Sequence, residues 1–265
     1  MKNIKIVFTD LDSTLTISEG KIDIKNKKIF ERLANIGIPV VINTGRSIPY
    51  TIPLCKQFCT SNYLIASNGA EIYNFMSNNM IYISVIKKED LEILDELIKK
   101  YDLFFYANGI EKRYSNKTEK NTIAIFSNYL CDINEEIAQV VLQSADKDKM
   151  IEIRRTLQEQ GNLKIANKTK HIVDGKLLYY DIVNKDVSKG SAVKILCDYL
   201  KEDPMKAMAI GDSTNDLEML EAVGYKVAVE NASDEVKAVA NIVTLSNKQN
   251  GVATILNELY NQKCQ

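Results

Sequence analysis

The apolar, β-branched run Ile4-Lys5-Ile6-Val7-Phe8-Thr9 leads directly into Asp10-Leu11-Asp12-Ser13-Thr14, and this junction constrains the fold more than any other feature of the chain. An apolar run bounded by a Ser/Thr loop is the signature of a central parallel strand, and open α/β sheets bind ligands beyond the carboxyl ends of such strands. Asp10 and Asp12 therefore fall at a candidate site. Like charges this close raise each other's pKa unless a cation or a shared proton relieves them, so the pair suggests a metal, an acid/base role, or both. A solvated loop with helix-capping acids would read the same way from these five residues alone.

A second acidic cluster repeats the geometry. Ala207-Met208-Ala209-Ile210 is a short apolar strand running into Gly211-Asp212-Ser213-Thr214-Asn215-Asp216, after which Leu217, Met219 and Leu220 begin a helical pattern. Two strand ends loaded with Asp are expected if both converge on one cation. Ile38 to Ile42 is a third apolar strand ending in Asn43-Thr44-Gly45-Arg46, where a hydroxyl and a Gly-exposed N–H suit an anion. Ser188-Lys189-Gly190-Ser191 opens the helical run Ala192 to Leu196, which places Lys189 in a first turn, where a cation is unfavourable for the helix dipole. A basic residue there usually has an anion to meet; its bland reading is a surface lysine.

In this order, the four segments resemble the motifs of the haloacid dehalogenase superfamily of phosphohydrolases. Ser67-Asn68-Gly69-Ala70, Val187 to Gly190, Gly211 to Leu220, Glu230-Asn231-Ala232 and Asn250-Gly251-Val252-Ala253 extend the likeness to the Cof-type branch. Ser13 departs from the glycine common at its position. The resemblance implies an α/β fold: a doubly wound, Rossmann-like parallel-sheet core from residues 1–83 and 187–265, with an inserted α+β cap over 84–186 that closes on the site and selects the substrate. It further implies that Asp10 is the nucleophile forming an aspartyl-phosphate and Asp12 the general acid that then activates water. The implied cofactor is Mg²⁺, held by the Asp10 carboxylate, the Asp12 carbonyl and Asp212, with Asp216 close by. Thr44, the Gly45 and Leu11 N–H groups, Lys189 and Asn215 would contact the phosphate.

Composition bounds the remaining classes. With 265 residues, 45% hydrophobic and 26% charged, the chain reads as an ordinary soluble globular protein. A net charge of −1 gives no basic footprint, so nucleic acid is not a favoured partner. Lys25, Lys27 and Lys28 read as a solvated helix face. No apolar run approaches the ~18 residues of a membrane span, and no signal-peptide pattern precedes Ile4; a cytoplasmic location without a membrane partner is expected. Cys55, Cys59, Cys131, Cys197 and Cys264 show neither even parity nor paired CxxC spacing and read as buried or incidental thiols. The lone His171 gives a histidine relay little support.

The flanking segments alternate strand and helix. Asp23 is placed to cap a helix bearing Ile29, Phe30, Leu33 and Ala34 and stopped at Gly37; a second helix follows Ser47, shortened or kinked at Pro53. A hairpin is expected around Asn78-Asn79, further strands near Val227 and Ile242, and a last helix from Val252 to Tyr260. In the middle, Leu91, Leu94, Leu97 and Ile98 predict one helix and Ile137, Val140 and Val141 another. Short strands are expected at Leu103–Ala107, Thr122–Phe126, Ile151–Arg154 and Leu178–Val183. The favoured function is a Mg²⁺-dependent phosphatase of a small phosphorylated metabolite, a sugar phosphate or phosphorylated cofactor. A phosphomutase of the same architecture is the nearest alternative, and a non-catalytic phospho-acceptor or binding module is the alternative from another class.

Overall fold

The computed structural model describes residues 1–18, 20–58, 61–117, 124–167 and 178–264. The first strand, β1 (Ile6–Thr9), is buried along its whole length, as a strand covered on both faces must be. A two-stranded ribbon, β2 (Thr16–Ser18) and β3 (Lys21–Ile22), precedes α1 (Ile24–Asn35), which Asp23 caps by accepting from Lys25 N at 2.8 Å. Asn26, Ile29, Phe30 and Leu33 form its buried stripe, and Gly37 follows with φ 76°. Then come β4 (Val40–Asn43), α2 (Ile48–Phe58), β5 (Tyr63–Ala66), β6 (Glu71–Asn74) and β7 (Asn79–Ile83). Pro53 does not end α2, which runs on to Phe58.

The central part of the chain builds a second sheet. Its elements are α3 (Lys88–Tyr101), β8 (Phe104–Gly109), β9 (Arg113–Ser115), β10 (Ile125–Phe126), β11 (Ile137–Ser144), α4 (Lys147–Gln160), β12 (Leu163–Ile165) and β13 (Leu178–Asn184). Two expectations are exchanged here. Ile137, Val140 and Val141 lie on a strand, not a helix: β11 pairs antiparallel with β8 and with β13, and its β-branched residues suit that position. Ile151 to Arg154 lies in α4, not in a strand. Asp146 caps that helix, Met150, Ile153 and Leu157 form its buried stripe, and Gly161 closes it with φ 72°. Of the strand expected at Thr122–Phe126, only Ile125–Phe126 is strand, and residues 122–123 lie outside the described residues.

The chain then returns through α5 (Lys189–Leu200), β14 (Ala207–Gly211), α6 (Leu217–Glu221), β15 (Tyr225–Ala228), α7 (Asp234–Val239), β16 (Ile242–Val243) and α8 (Gly251–Lys263). The first sheet has the order β16-β15-β14-β1-β4-β5-β6-β7. It is parallel from β16 to β5, and the β6–β7 hairpin adds an antiparallel edge, turning at Asn78 with φ 57°. This is an α/β fold with β1 flanked by β4 and β14 on opposite sides, the strand order at which such sheets open a crevice. The second sheet, β10-β9-β8-β11-β13-β12, has its own apolar core around Leu94, Phe105, Leu142, Ile153 and Ile182.

Two adjacent crossings join the sheets. Asn184 Nδ2 donates to Ser84 Oγ at 2.9 Å and to Val85 O at 2.8 Å, and Ser84 N donates to Ala70 O at 2.8 Å. A small apolar cluster of Ala70, Ala138, Val183 and Val187 is buried at the seam. Among the described residues no helix is long and apolar enough to cross a membrane. Cys55 and Cys197 are buried free thiols, and Cys131 and Cys264 are exposed ones; Cys59 and His171 lie outside the described residues.

Candidate active site

The carboxyl ends of β1, β4 and β14 meet at one place, and the second sheet covers it. Asp10 follows β1 directly, with its N–H donating to Ile210 O at 2.9 Å, so the pairing of β1 with β14 fixes the backbone on which the carboxylate sits. Asp212 and Asp216 follow β14. Asp216 folds back on its own loop, accepting at Oδ2 from Asp212 N and Ser213 N, both at 3.0 Å. Thr14 Oγ1 donates to Asp212 Oδ1 at 2.5 Å. As a result, Asp10, Asp212 and Asp216 each present an oxygen within 4.8 Å of the others.

Lys189 enters this acidic cluster from below. Ser188 caps α5 in a reciprocal capping box with Ser191, and Asn43 Nδ2 donates to the Lys189 carbonyl at 3.0 Å, anchoring the helix start at the end of β4. Gly190 allows α5 this approach: a Cβ there would lie 2.1 Å from the Glu218 carbonyl oxygen. The Lys189 side chain, 1% exposed, donates to Asp10 Oδ1 at 2.5 Å and to Asp216 Oδ1 at 2.6 Å. The anion expected for this first-turn lysine is thus supplied by the two aspartates.

Electrostatics follow from this crowding. Burial pushes Asp10 well above the usual carboxylate range; Lys189 pulls against it, and Asp216 and Asp212 add to the rise. Burial, reinforced by Asp216, lifts Asp212 to about 6. Burial alone would lower Lys189, but the two carboxylates outweigh it and hold the ammonium above its ordinary range. Three acids share one lysine, so negative charge is left over. The donor set is all oxygen with neither His nor Cys, which fits a hard divalent cation such as Mg²⁺.

The other residues named from sequence fall around a cavity of about 690 Å³. Thr44, Gly45, Asn215 and Asp12 line it, together with Asp10 and Asp212. Leu11 is buried in the turn between the two acids, its carbonyl accepting from Leu15 N and Thr16 N. The Asp12 side chain stands apart from the three-carboxylate group, half exposed, with both oxygens accepting from Arg46: Nε at 2.8 Å and Nη2 at 2.5 Å. Ser13, with φ 61°, sits in the left-handed region that explains the glycine usual there. Asn231 steadies this loop through Nδ2 to Ser13 O at 2.8 Å, and Asn247 does so through Thr16 O at the same distance.

Several residues in or beside the cavity have no role assigned by the motifs. Arg46 stood inside a quoted motif. Asn68 did as well; it accepts from Asn215 Nδ2 at 2.9 Å and donates to Gln139 Oε1 at 2.9 Å and Asp181 Oδ2 at 3.1 Å, linking the two sheets above the site. Gln139, Val141 and Gln143 reach the cavity from β11 at every second position, a period-two signal. Tyr50, Asn108, Arg113, Tyr179 and Asp181 had no motif to mark them.

A parallel sheet with acids converging at its switch point and a lid of polar side chains above them defines a hydrolase-like α/β enzyme. The profile of the haloacid dehalogenase-like hydrolases matches residues 7–256, and the chain belongs to that family. It is similar to the 5-amino-6-(5-phospho-D-ribitylamino)uracil phosphatase YcsE of Bacillus subtilis, with 27% identity over 95% of this chain and 94% of the relative. It is also similar to the phosphoglycolate phosphatase of Methanopyrus kandleri, with 28% identity over 96% of each. A crystal structure of a haloacid dehalogenase-like hydrolase from Bacteroides thetaiotaomicron superposes with a TM-score of 0.84 at 26% identity, covering 97% of this chain and 99% of the other. The enzyme is a phosphatase of this family.

Proposed function

We propose that the chain is a Mg²⁺-dependent phosphatase of a small phosphorylated metabolite, a sugar phosphate or phosphorylated cofactor, acting through an aspartyl-phosphate on Asp10. One observation supports this above all: a buried carboxylate at the end of the central strand shares a lysine and an acidic cluster at the floor of a cavity of about 690 Å³. An Asp10 oxygen attacks phosphorus, the ester bond to the alcohol breaks, and Asp12 gives its proton to the departing oxygen. Water then attacks the same phosphorus, Asp12 takes its proton, and Asp10 is released.

Lys189, Thr44, the N–H groups of Leu11 and Gly45, and Asn215 contact the phosphoryl oxygens, where charge is spread during transfer. Asp10, Asp212 and the Asp12 carbonyl, with Asp216 close by, would hold Mg²⁺, which supplies charge neutralisation and orientation when bound. Asp12 meets Arg46 through both carboxylate oxygens, so proton donation requires that pair to open, which an arriving phosphate provides by competing for the guanidinium. Residues 84–186 act as a cap that excludes water and reads the rest of the substrate.

The test is phosphate release from a metabolite panel. Chelation should silence it, Mg²⁺ should restore it, and Ca²⁺ should restore it poorly, because it accepts longer and more numerous ligands. Turnover persisting in metal-stripped protein would reject the proposal.

A further inference from the structure

Among the described residues, the roof of the cavity carries a cation that no carboxylate meets at salt-bridge distance. Arg113, on β9, lines the 690 Å³ cavity and also a second cleft of about 500 Å³ that it shares with Lys117, Gln143 and Tyr179. Its guanidinium carbon lies 3.8 Å from the centre of the Tyr106 ring and 5.1 Å from that of Tyr50, over the face of each. Its Nε is buried without a hydrogen-bond partner. Among the described residues no carboxylate lies within 4.0 Å of it. Tyr50 offers it a side-chain hydrogen bond, and Asp181, which also accepts from Asn68, acts on it electrostatically from beyond that distance.

Two aromatic rings hold the guanidinium in place, and its Nε–H is left without an acceptor. A planar fork of donors matches a carboxylate or a phosphate in two-point contact. Burying an N–H without an acceptor is costly, which is best explained if the acceptor arrives with the ligand. We infer that Arg113 is a specificity-determining residue that binds a second anionic group at the far end of the substrate. Preferred substrates are then phosphomonoesters with a distal carboxylate or second phosphate. This rests on the phosphatase reading of the Asp10 site. Asn108 and Gln143, which also line the cavity, suit the hydroxyls of a polyol chain.

Three polyol monophosphates identical except at the far terminus test it: one ending in a hydroxymethyl, one in a carboxylate, one in a second phosphate. Affinity is measured calorimetrically in Mg²⁺ buffer on Asp10→Asn, which leaves the ligands intact. The carboxylate or the bisphosphate should bind about 10- to 100-fold more tightly than the neutral ligand, as charge-assisted hydrogen bonds allow. Which of the two gains more identifies the anion read. Adding Arg113→Gln should bring that ratio to within about threefold of one. Equal affinities with Arg113 intact, or a preference that survives Arg113→Gln, would overturn the inference. If Arg113→Gln does not fold, Arg113→Lys keeps the charge but not the fork; a reduced preference then supports the assignment and a full one overturns it. Hydrolysis of an aryl phosphate by the wild-type protein reads the Asp10 chemistry separately, so failure there rejects the phosphatase and not the anion preference.

Discussion

Glu71, the first residue of β6, is fully buried and outside the proposed chemistry, yet its charge couples stability to pH. Burial pushes its carboxyl up to about 8; Ser67 Oγ, donating to Oε2 at 2.5 Å, opposes the rise, and Glu135 adds to it. The folded state therefore keeps a proton that the unfolded chain loses above the ordinary value of 4.5. Below that value both states are protonated and nothing is lost; from there to about pH 8 stability falls as pH rises. Glu71→Gln removes this dependence, so its melting temperature should gain on the wild type between pH 5 and pH 8, by an amount worth about 2–5 kcal/mol at the upper end. A gap that stays constant or closes would show that Glu71 is ionised in the fold. Asp12→Asn should slow turnover by roughly 10²–10⁴-fold on alkyl phosphates and much less on aryl phosphates, whose leaving groups need no proton. Equal losses on both would remove Asp12 from the acid role.

Helix α5 delivers Lys189, and that delivery depends on its contact with α6. Because a Cβ on Gly190 would meet the Glu218 carbonyl at 2.1 Å, Gly190→Ala must part the two helices or shift α5. We expect a loss of about 1–3 kcal/mol in denaturant unfolding, with activity falling further than stability, whereas Lys194→Ala on the exposed side of α5 should change neither. A stable, fully active Gly190→Ala would mean the approach is not needed. The first-sheet strands that carry the site were legible because they are short apolar runs that end in marked loops, as at Ile6–Thr9 and Ala207–Gly211. The second sheet was harder to read. Ile137, Val140 and Val141 fall at spacings that a helix would also use, while the true signal was the alternation of Gln139, Val141 and Gln143 towards the cavity. At Ile151–Arg154 one apolar pair resembled a strand, although Asp146 and Gly161 bracket a helix. Polar contacts such as Asn68 with Gln139 join positions 71 residues apart, and no local pattern encodes them.

Across the whole molecule, the acidic cluster and the covering sheet come from different stretches of chain. The crossings lie side by side, with Asn184 bonded to Ser84, so a short linker can replace residues 84–186. Such a protein should bind Mg²⁺ and slowly hydrolyse a small aryl phosphate while its selectivity among metabolites collapses, because remote binding energy and water exclusion are lost. Undiminished selectivity in the truncated protein would place specificity in the first sheet. Covalent catalysis itself is read most directly by mixing enzyme with substrate labelled in its phosphoryl group, quenching in acid within a turnover, and mapping the label by peptide. Asp10 as nucleophile predicts one labelled peptide, the one containing Asp10, and none in Asp10→Asn; release of phosphate with no labelled peptide at any time, or with Asp10→Asn as active as wild type, would contradict it.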